Sequence, residues 1–147
     1  MIFNFTLSRA IIVFGTAAIL GLGAIIGTAV ALYVILDGFD LGVGILFPFA
    51  KTERERDVMM NSVAPFWDGN ETWLVLGGGG LLVAFPRAYA VIMPAVYLPV
   101  IAMLLALVLR GVAFEFRWIA KTPRIWNLAF TTGSTLAGFA QGIILGA

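Results

Sequence analysis

Neither histidine nor cysteine occurs anywhere in the 147 residues. Without cysteine there is no disulfide and no thiolate to hold a metal. Without histidine, the commonest haem and metal ligand and the usual proton shuttle are both missing. A haem iron near this chain would need its ligand from Met1, Met59, Met60, Met93 or Met103, or from another subunit. Proton handling falls to Asp, Glu, Tyr and water. Charge is scarce as well. Only 12% of residues are charged while 61% are hydrophobic, and mean hydropathy is +1.03. Soluble domains are about half apolar and about a quarter charged, so this sequence has too little polar surface to cover a water-soluble core. A net charge of +1 supplies no field that would select nucleic acid as a partner.

What is abundant is uninterrupted apolar sequence. Residues 10–36 form a 27-residue run that follows Arg9. A secretory signal has a hydrophobic stretch of roughly 7–15 residues and then a cleavage site. Here the run leads into Asp37-Gly38-Phe39-Asp40, so it reads as a retained membrane helix. As helix it would extend about 40 Å, against a bilayer core of about 30 Å. Residues 88–109 and 125–147 are two further runs without a charge. At 73–85 the apolar stretch is too short to cross alone. It spans only if it begins earlier and takes Asp68 and Glu71 with it; the competing reading is a re-entrant or interfacial segment. Thr52-Glu53-Arg54-Glu55 fits a capping box that starts a helix. Pro65 then kinks that helix or starts a new one capped by Ser62. The expected architecture is an all-α integral membrane bundle of four helices, spanning approximately 10–46, 61–85, 88–116 and 125–147.

Basic residues sort the connections. Lys51, Arg54 and Arg56 follow the first span, and Arg117, Lys121 and Arg124 precede the last; the opposite side has only Arg9 and Arg87. Four crossings put both basic loops on one face. The positive-inside rule makes that face cytoplasmic and the N-terminus external. Arg117, Lys121 and Arg124 read as interface anchors. Glycines at 23 and 27, at 38 and 42, and at 138, 142 and 146 are spaced for close helix contact. Residues 77–80 are four consecutive glycines and predict close backbone packing against a helix or another subunit.

The chemistry-bearing residues are few. Asp37 and Asp40 are three apart and share a helix face. A charge at the centre of a membrane helix costs about 2.5–3.5 kcal/mol. The 14 Ile, Leu, Val and Phe residues within 10–36 offset it, so insertion tolerates one or two acids; the plain alternative puts these acids at the interface. Asn61, Asp68 and Glu71 are spaced as one polar stripe flanked by Trp67 and Trp73, a polar path or interhelical contact if intramembrane, a loop with aromatic anchors otherwise. Arg110 and Arg117 are seven apart and face the same way, available to pair with such carboxylates, with Glu115 between them. The other reading leaves all three in the headgroup zone.

Leu36-Asp37-Gly38-Phe39-Asp40-Leu41-Gly42-Val43-Gly44 resembles the first-helix motif of subunit II of cytochrome bd-type quinol oxidases. Asn61-Ser62-Val63-Ala64-Pro65-Phe66-Trp67-Asp68-Gly69-Asn70-Glu71-Thr72-Trp73-Leu74 resembles its second block, and the Glu-Thr pair is similar to the cyanide-insensitive-type branch. Gly77–Gly80, Ala84-Phe85-Pro86 and Arg110-Gly111-Val112-Ala113-Phe114-Glu115-Phe116-Arg117 follow in order. Members are more than twice as long, so the chain is expected to be the first bundle of a larger subunit, as a fragment or a truncated reading frame.

The resemblance implies a haem-free subunit that packs beside a subunit I carrying haems b and d and the quinol site. The complex would sit in the bacterial cytoplasmic membrane, oxidise quinol, reduce oxygen to water and take up protons electrogenically. The resemblance makes Asp68 the start of a cytoplasmic proton route; Glu71 and Asn61, on the same spaced stripe, are further pathway candidates. Asp37, Asp40 and Arg110 match positions tied to assembly or to the neighbouring haem environment, and Glu115 joins them as an assembly candidate. Some members hold a quinone in this subunit; no residue here places one. Many members have Asp where this chain has Asn127 after Trp126. A secondary transporter or ion channel with intramembrane carboxylates is the alternative from another class; no internal repeat supports it.

Overall fold

The computed structural model describes the backbone of residues 2–147 and side chains from Ser8 onward. Met1, one of the potential haem ligands, lies outside the described residues. The chain forms α1 (Ile2–Leu46), α2 (Glu53–Val63), α3 (Trp67–Ala84), α4 (Pro86–Ile119) and α5 (Arg124–Gly146), with a 3₁₀ turn at Phe47–Phe49. Among the described residues three segments, Ser8–Phe49, Pro86–Ile119 and Arg124–Gly146, are long and apolar enough to cross a membrane. The protein is therefore an all-helical membrane chain. Large apolar side chains such as Val83, Ile119 and Phe49 stand exposed on the outer faces, as expected where the surroundings are hydrocarbon rather than water.

The α1 helix does not stop at the aspartates. Apolar residues on both sides of Asp37-Gly38-Phe39-Asp40 carry it through to Leu46. Thr52 caps α2: its Oγ1 accepts from the Glu55 backbone N–H at 3.2 Å, and the Glu55 carboxylate accepts from the Thr52 N–H. This is the expected reciprocal cap. The segment expected as one span at 61–85 is instead divided. Asn61 to Val63 belong to α2, residues 64–66 form a turn, and only Trp67–Ala84 makes α3. Pro65 is the cause, since it has no N–H to continue the helical bonding. Ser62 caps nothing; its hydroxyl donates to the Met59 carbonyl, while Phe66 occupies the start of α3 without a side-chain cap.

The long helices pack in a ring, with α3 and α5 each lying against both α1 and α4. One end of the ring gathers Phe47, Met60, Val63, Phe114 and Phe130, with Trp67 stacked on Phe114 at 5.1 Å. This cluster joins the end of α1, α2, the start of α3, the end of α4 and the start of α5, so successive long helices alternate in direction. Farther along, Leu41, Met103, Ala106, Leu107, Ala137 and Ala140 form the rest of the core.

Close approach depends on particular glycines. A Cβ at Gly133 would lie 2.7 Å from the Ala106 carbonyl oxygen and 2.9 Å from the Arg110 nitrogen, so α4 and α5 touch backbone to backbone there. A Cβ at Gly44 would overlap Ser134. Within 77–80, Gly77 and Gly80 lie against Val30 and Ile26 of α1, as the expected packing requires, while Gly78 and Gly79 face open space. The spaced rows do not close the bundle: Gly27, Gly38, Gly42, Gly142 and Gly146 meet nothing within 4 Å, and Gly23 and Gly138 make only ordinary contact. Four-residue spacing marks a helix face without saying whether a neighbour occupies it.

Candidate functional site

Tyr33, Asp37, Asp40, Leu41 and Gly44 recur every three or four residues on α1 and are all buried. They define the inward stripe of that helix. Asp37 on α1 and Arg110 on α4 each lie nine residues before the end of their helix (37 to 46 and 110 to 119). Because these two helices end together in the aromatic cluster, their side chains meet at one level. Arg110 Nη2 donates to Asp37 Oδ1 at 2.6 Å, and neither side chain has any exposure. The same nitrogen donates to Glu71 Oε1 of α3 at 2.7 Å, where the Glu71 side chain is 22% exposed. Asn70, beside Glu71, donates from Nδ2 to Asp40 Oδ2 at 2.8 Å. One turn before Asp37, Tyr33 Oη accepts from Gln141 Nε2 of α5 at 2.6 Å and faces Met103 Sδ at 3.9 Å. Buried charges at membrane depth persist when paired and hydrogen-bonded. This set ties all four long helices together.

The pairing is incomplete. Arg110 Nε and Nη1 and Asp37 Oδ2 are buried with no hydrogen-bond partner. A groove of about 490 Å³ runs beside the cluster between α3 and α4, lined by Trp67, Asp68, Glu71 and Thr72 on one wall and by Leu107 and Gly111 on the other. Glu71 thus has one side on the groove and the other on Arg110. Asp68 is exposed in the first turn of α3.

A second cluster closes the loop end. Arg117 donates from Nη1 to Asp57 Oδ1 at 2.6 Å, from Nη2 to Glu53 Oε2 at 3.2 Å, and from Nε to Asn127 Oδ1 at 2.6 Å. Its guanidinium also lies 5.9 Å from the Phe47 ring centroid and 5.1 Å from that of Trp118. Both basic segments therefore meet at one end of the bundle.

The structure brings together Asp37, Asp40, Glu71 and Arg110, with Asp68 on the same face of α3 as Glu71. It separates Asn61, which is exposed on α2; the break at Pro65 removes it from the expected stripe. Glu115 is exposed on α4 and joins neither cluster. It lies five residues from Arg110 and two from Arg117, on a different side of a helix with about 3.6 residues per turn. Arg117, expected as an interface anchor, is only 5% exposed and holds two carboxylates. Sequence reasoning gave no role to Tyr33, Asn70 and Gln141. The four-residue step from Tyr33 to Asp37 was a signal for the first; nothing in the spacing marked Gln141.

A profile of the family described as cytochrome bd terminal oxidase subunit II matches residues 19–147. The cytochrome bd ubiquinol oxidase subunit 2 of Bacillus subtilis is 41% identical over 116 residues, covering 76% of this chain and 34% of that protein. The probable cytochrome oxidase subunit 2 of Haemophilus influenzae is 38% identical, with 78% and 30% covered. The cytochrome bd-I ubiquinol oxidase subunit 2 of Escherichia coli is 35% identical over 123 residues, with 83% and 32% covered. The chain spans about a third of the length of these curated relatives. The match takes in both aspartates of α1, the whole of α3, and Arg110, and the chain belongs to the cytochrome bd terminal oxidase subunit II family.

Proposed function

We propose that this chain serves as the first bundle of a haem-free subunit II in a terminal quinol oxidase of the bacterial cytoplasmic membrane. The complex oxidises quinol and reduces oxygen to water, with electrogenic proton uptake. The haems b and d belong to subunit I, which this subunit stabilises. Family membership is the observation that carries this reading over a transporter or channel.

Several features of the chain support the division of labour. Its buried thioethers are engaged in packing: Met60 is fully buried among Phe47, Val63 and Phe130, and Met103 lies against Tyr33. Neither fits as a haem ligand facing a cavity. The alternating helix directions support four crossings, with α3 as the fourth span. Its 18 residues give about 27 Å of helix, close to the hydrocarbon thickness. Both basic segments then face the cytoplasm. Asp68, at the start of α3 on that side and at the groove, is the entry of a proton route that continues to Glu71. The bilayer covers the outer faces.

Affinity purification from native membranes tests the assembly. A haem-bearing partner with red-region absorption and quinol-driven oxygen consumption is expected; substrate-dependent flux in liposomes holding the chain alone would overturn the reading. Replacing Asp68 with Asn separates conduit from scaffold. Assembly should persist while turnover and charge movement fall; unchanged electrogenicity removes Asp68 from the route.

A further inference from the structure

The buried cluster has more carboxyl groups than cations. On α1 it contains Asp37 and Asp40 with Tyr33, on α3 Glu71 with Asp68 one turn away, and on α4 Arg110; α5 adds only the neutral Gln141. Asp40 is met by the neutral Asn70. Asp37 and Glu71 both depend on a single nitrogen of a single guanidinium. Arg110 can neutralise one of them. Two carboxylates that share one site resist ionising together, and low-dielectric surroundings strengthen that resistance. Among the described residues no group of three Asp or Glu is placed to hold a metal ion.

Two further observations point to what does. Asp37 Oδ2 is fully buried and lacks a partner, so it is a free position for a proton or for a donor. Arg110 Nε and Nη1 are likewise buried donors without a partner. Buried donors of this kind are satisfied by water where the site is polar. The groove borders this cluster at Glu71.

We infer that Asp37 and Glu71, bridged by Arg110, form a proton-holding site: the pair retains one exchangeable proton, and water on the unpaired Arg110 hydrogens connects it to the groove between α3 and α4. The inference deepens the proton-route reading and rests on it for the site's role. The site holds the proton that Asp68 admits, and Glu71 is where it enters.

Infrared difference spectroscopy of the assembled complex in H2O and D2O tests this. A protonated carboxyl gives a carbonyl-stretch band that shifts on deuteration. The wild type should show such a band at neutral pH, and both Asp37→Asn and Glu71→Gln should abolish or move it, while Glu115→Gln leaves it in place. Glu71→Asp should restore a displaced band. Should Asp37→Asn fail to assemble, the two Glu71 variants decide the matter, because that side chain borders the groove. A band missing from the wild type, or unaltered by both Glu71 variants, overturns the inference; a band that does not shift in D2O overturns its connection to the groove. Charge uptake in Asp68→Asn reads the conduction proposal independently. Unchanged uptake with a Glu71-dependent band leaves the site standing without its role as conduit, whereas lost uptake with no such band does the reverse.

Discussion

Arg110 on α4 and Asp37 on α1 are joined across the bundle by a 2.6 Å ion pair with no solvent exposure on either side. Removing one partner of such a pair leaves an uncompensated buried charge, which costs about 3–5 kcal/mol. Arg110→Met should therefore lower stability by about that amount. Combining it with Asp37→Asn and Glu71→Gln should recover most of the loss, since neutral groups then face one another. Thermal unfolding of the detergent-solubilised complex measures both; equal destabilisation by the single and triple variants would contradict the pairing.

Gly133 and Gly27 should differ sharply in their response to the same change. An added methyl at Gly133 meets backbone atoms of Ala106 and Arg110, which cannot rotate aside. Overpacking of this kind costs about 1–3 kcal/mol. At Gly27 nothing lies within 4 Å, so Gly27→Ala should leave the melting temperature within a degree or two of wild type, on the order of a surface substitution.

Thr52→Ala removes one half of the cap on α2. A lost N-cap costs about 1 kcal/mol. The effect should be local: amide exchange should quicken over residues 53–57 and stay unchanged in α4. Unaltered exchange at those amides would mean that the Arg117 bonds alone hold α2.

Arg117 sets a half-buried neutral acceptor beside two more exposed carboxylates. Glu53 and Asp57 are 53% and 43% exposed, so water competes for each, and exposed pairs contribute only about 0–1 kcal/mol. Asn127 binds the guanidinium from a sheltered position, and a hydrogen bond to a charged group is worth about 1.5–3 kcal/mol. Asn127→Ala should therefore destabilise more than Asp57→Asn, judged by thermal unfolding. Asn127→Asp preserves the acceptor and should leave assembly intact.

The membrane-crossing helices were readable because run length and the absence of charge bear directly on the thickness of a bilayer. The cap at Thr52 was readable because it is local. The pairing of Asp37 with Arg110 was foreseeable only as chemistry: spacing puts Asp37 and Asp40 on one face but does not say that the first reaches α4 and the second Asn70. Asn61 misled because a stripe drawn at helical spacing assumes an unbroken helix, and Pro65 breaks it. The rows at Gly138 and Gly142 misled for a related reason. What fixes the contact at Gly44 is the bulk of Ser134 on a helix 90 residues later, a long-range fact invisible to any local pattern.

The two acids that share Arg110 are not equivalent to a visitor. One is sealed away on every side; the other has an edge on the groove. Anything arriving laterally must negotiate with Glu71 first and can influence Asp37 only through it. The arrangement therefore imposes an order of events on a trio that, drawn on paper, would look symmetrical.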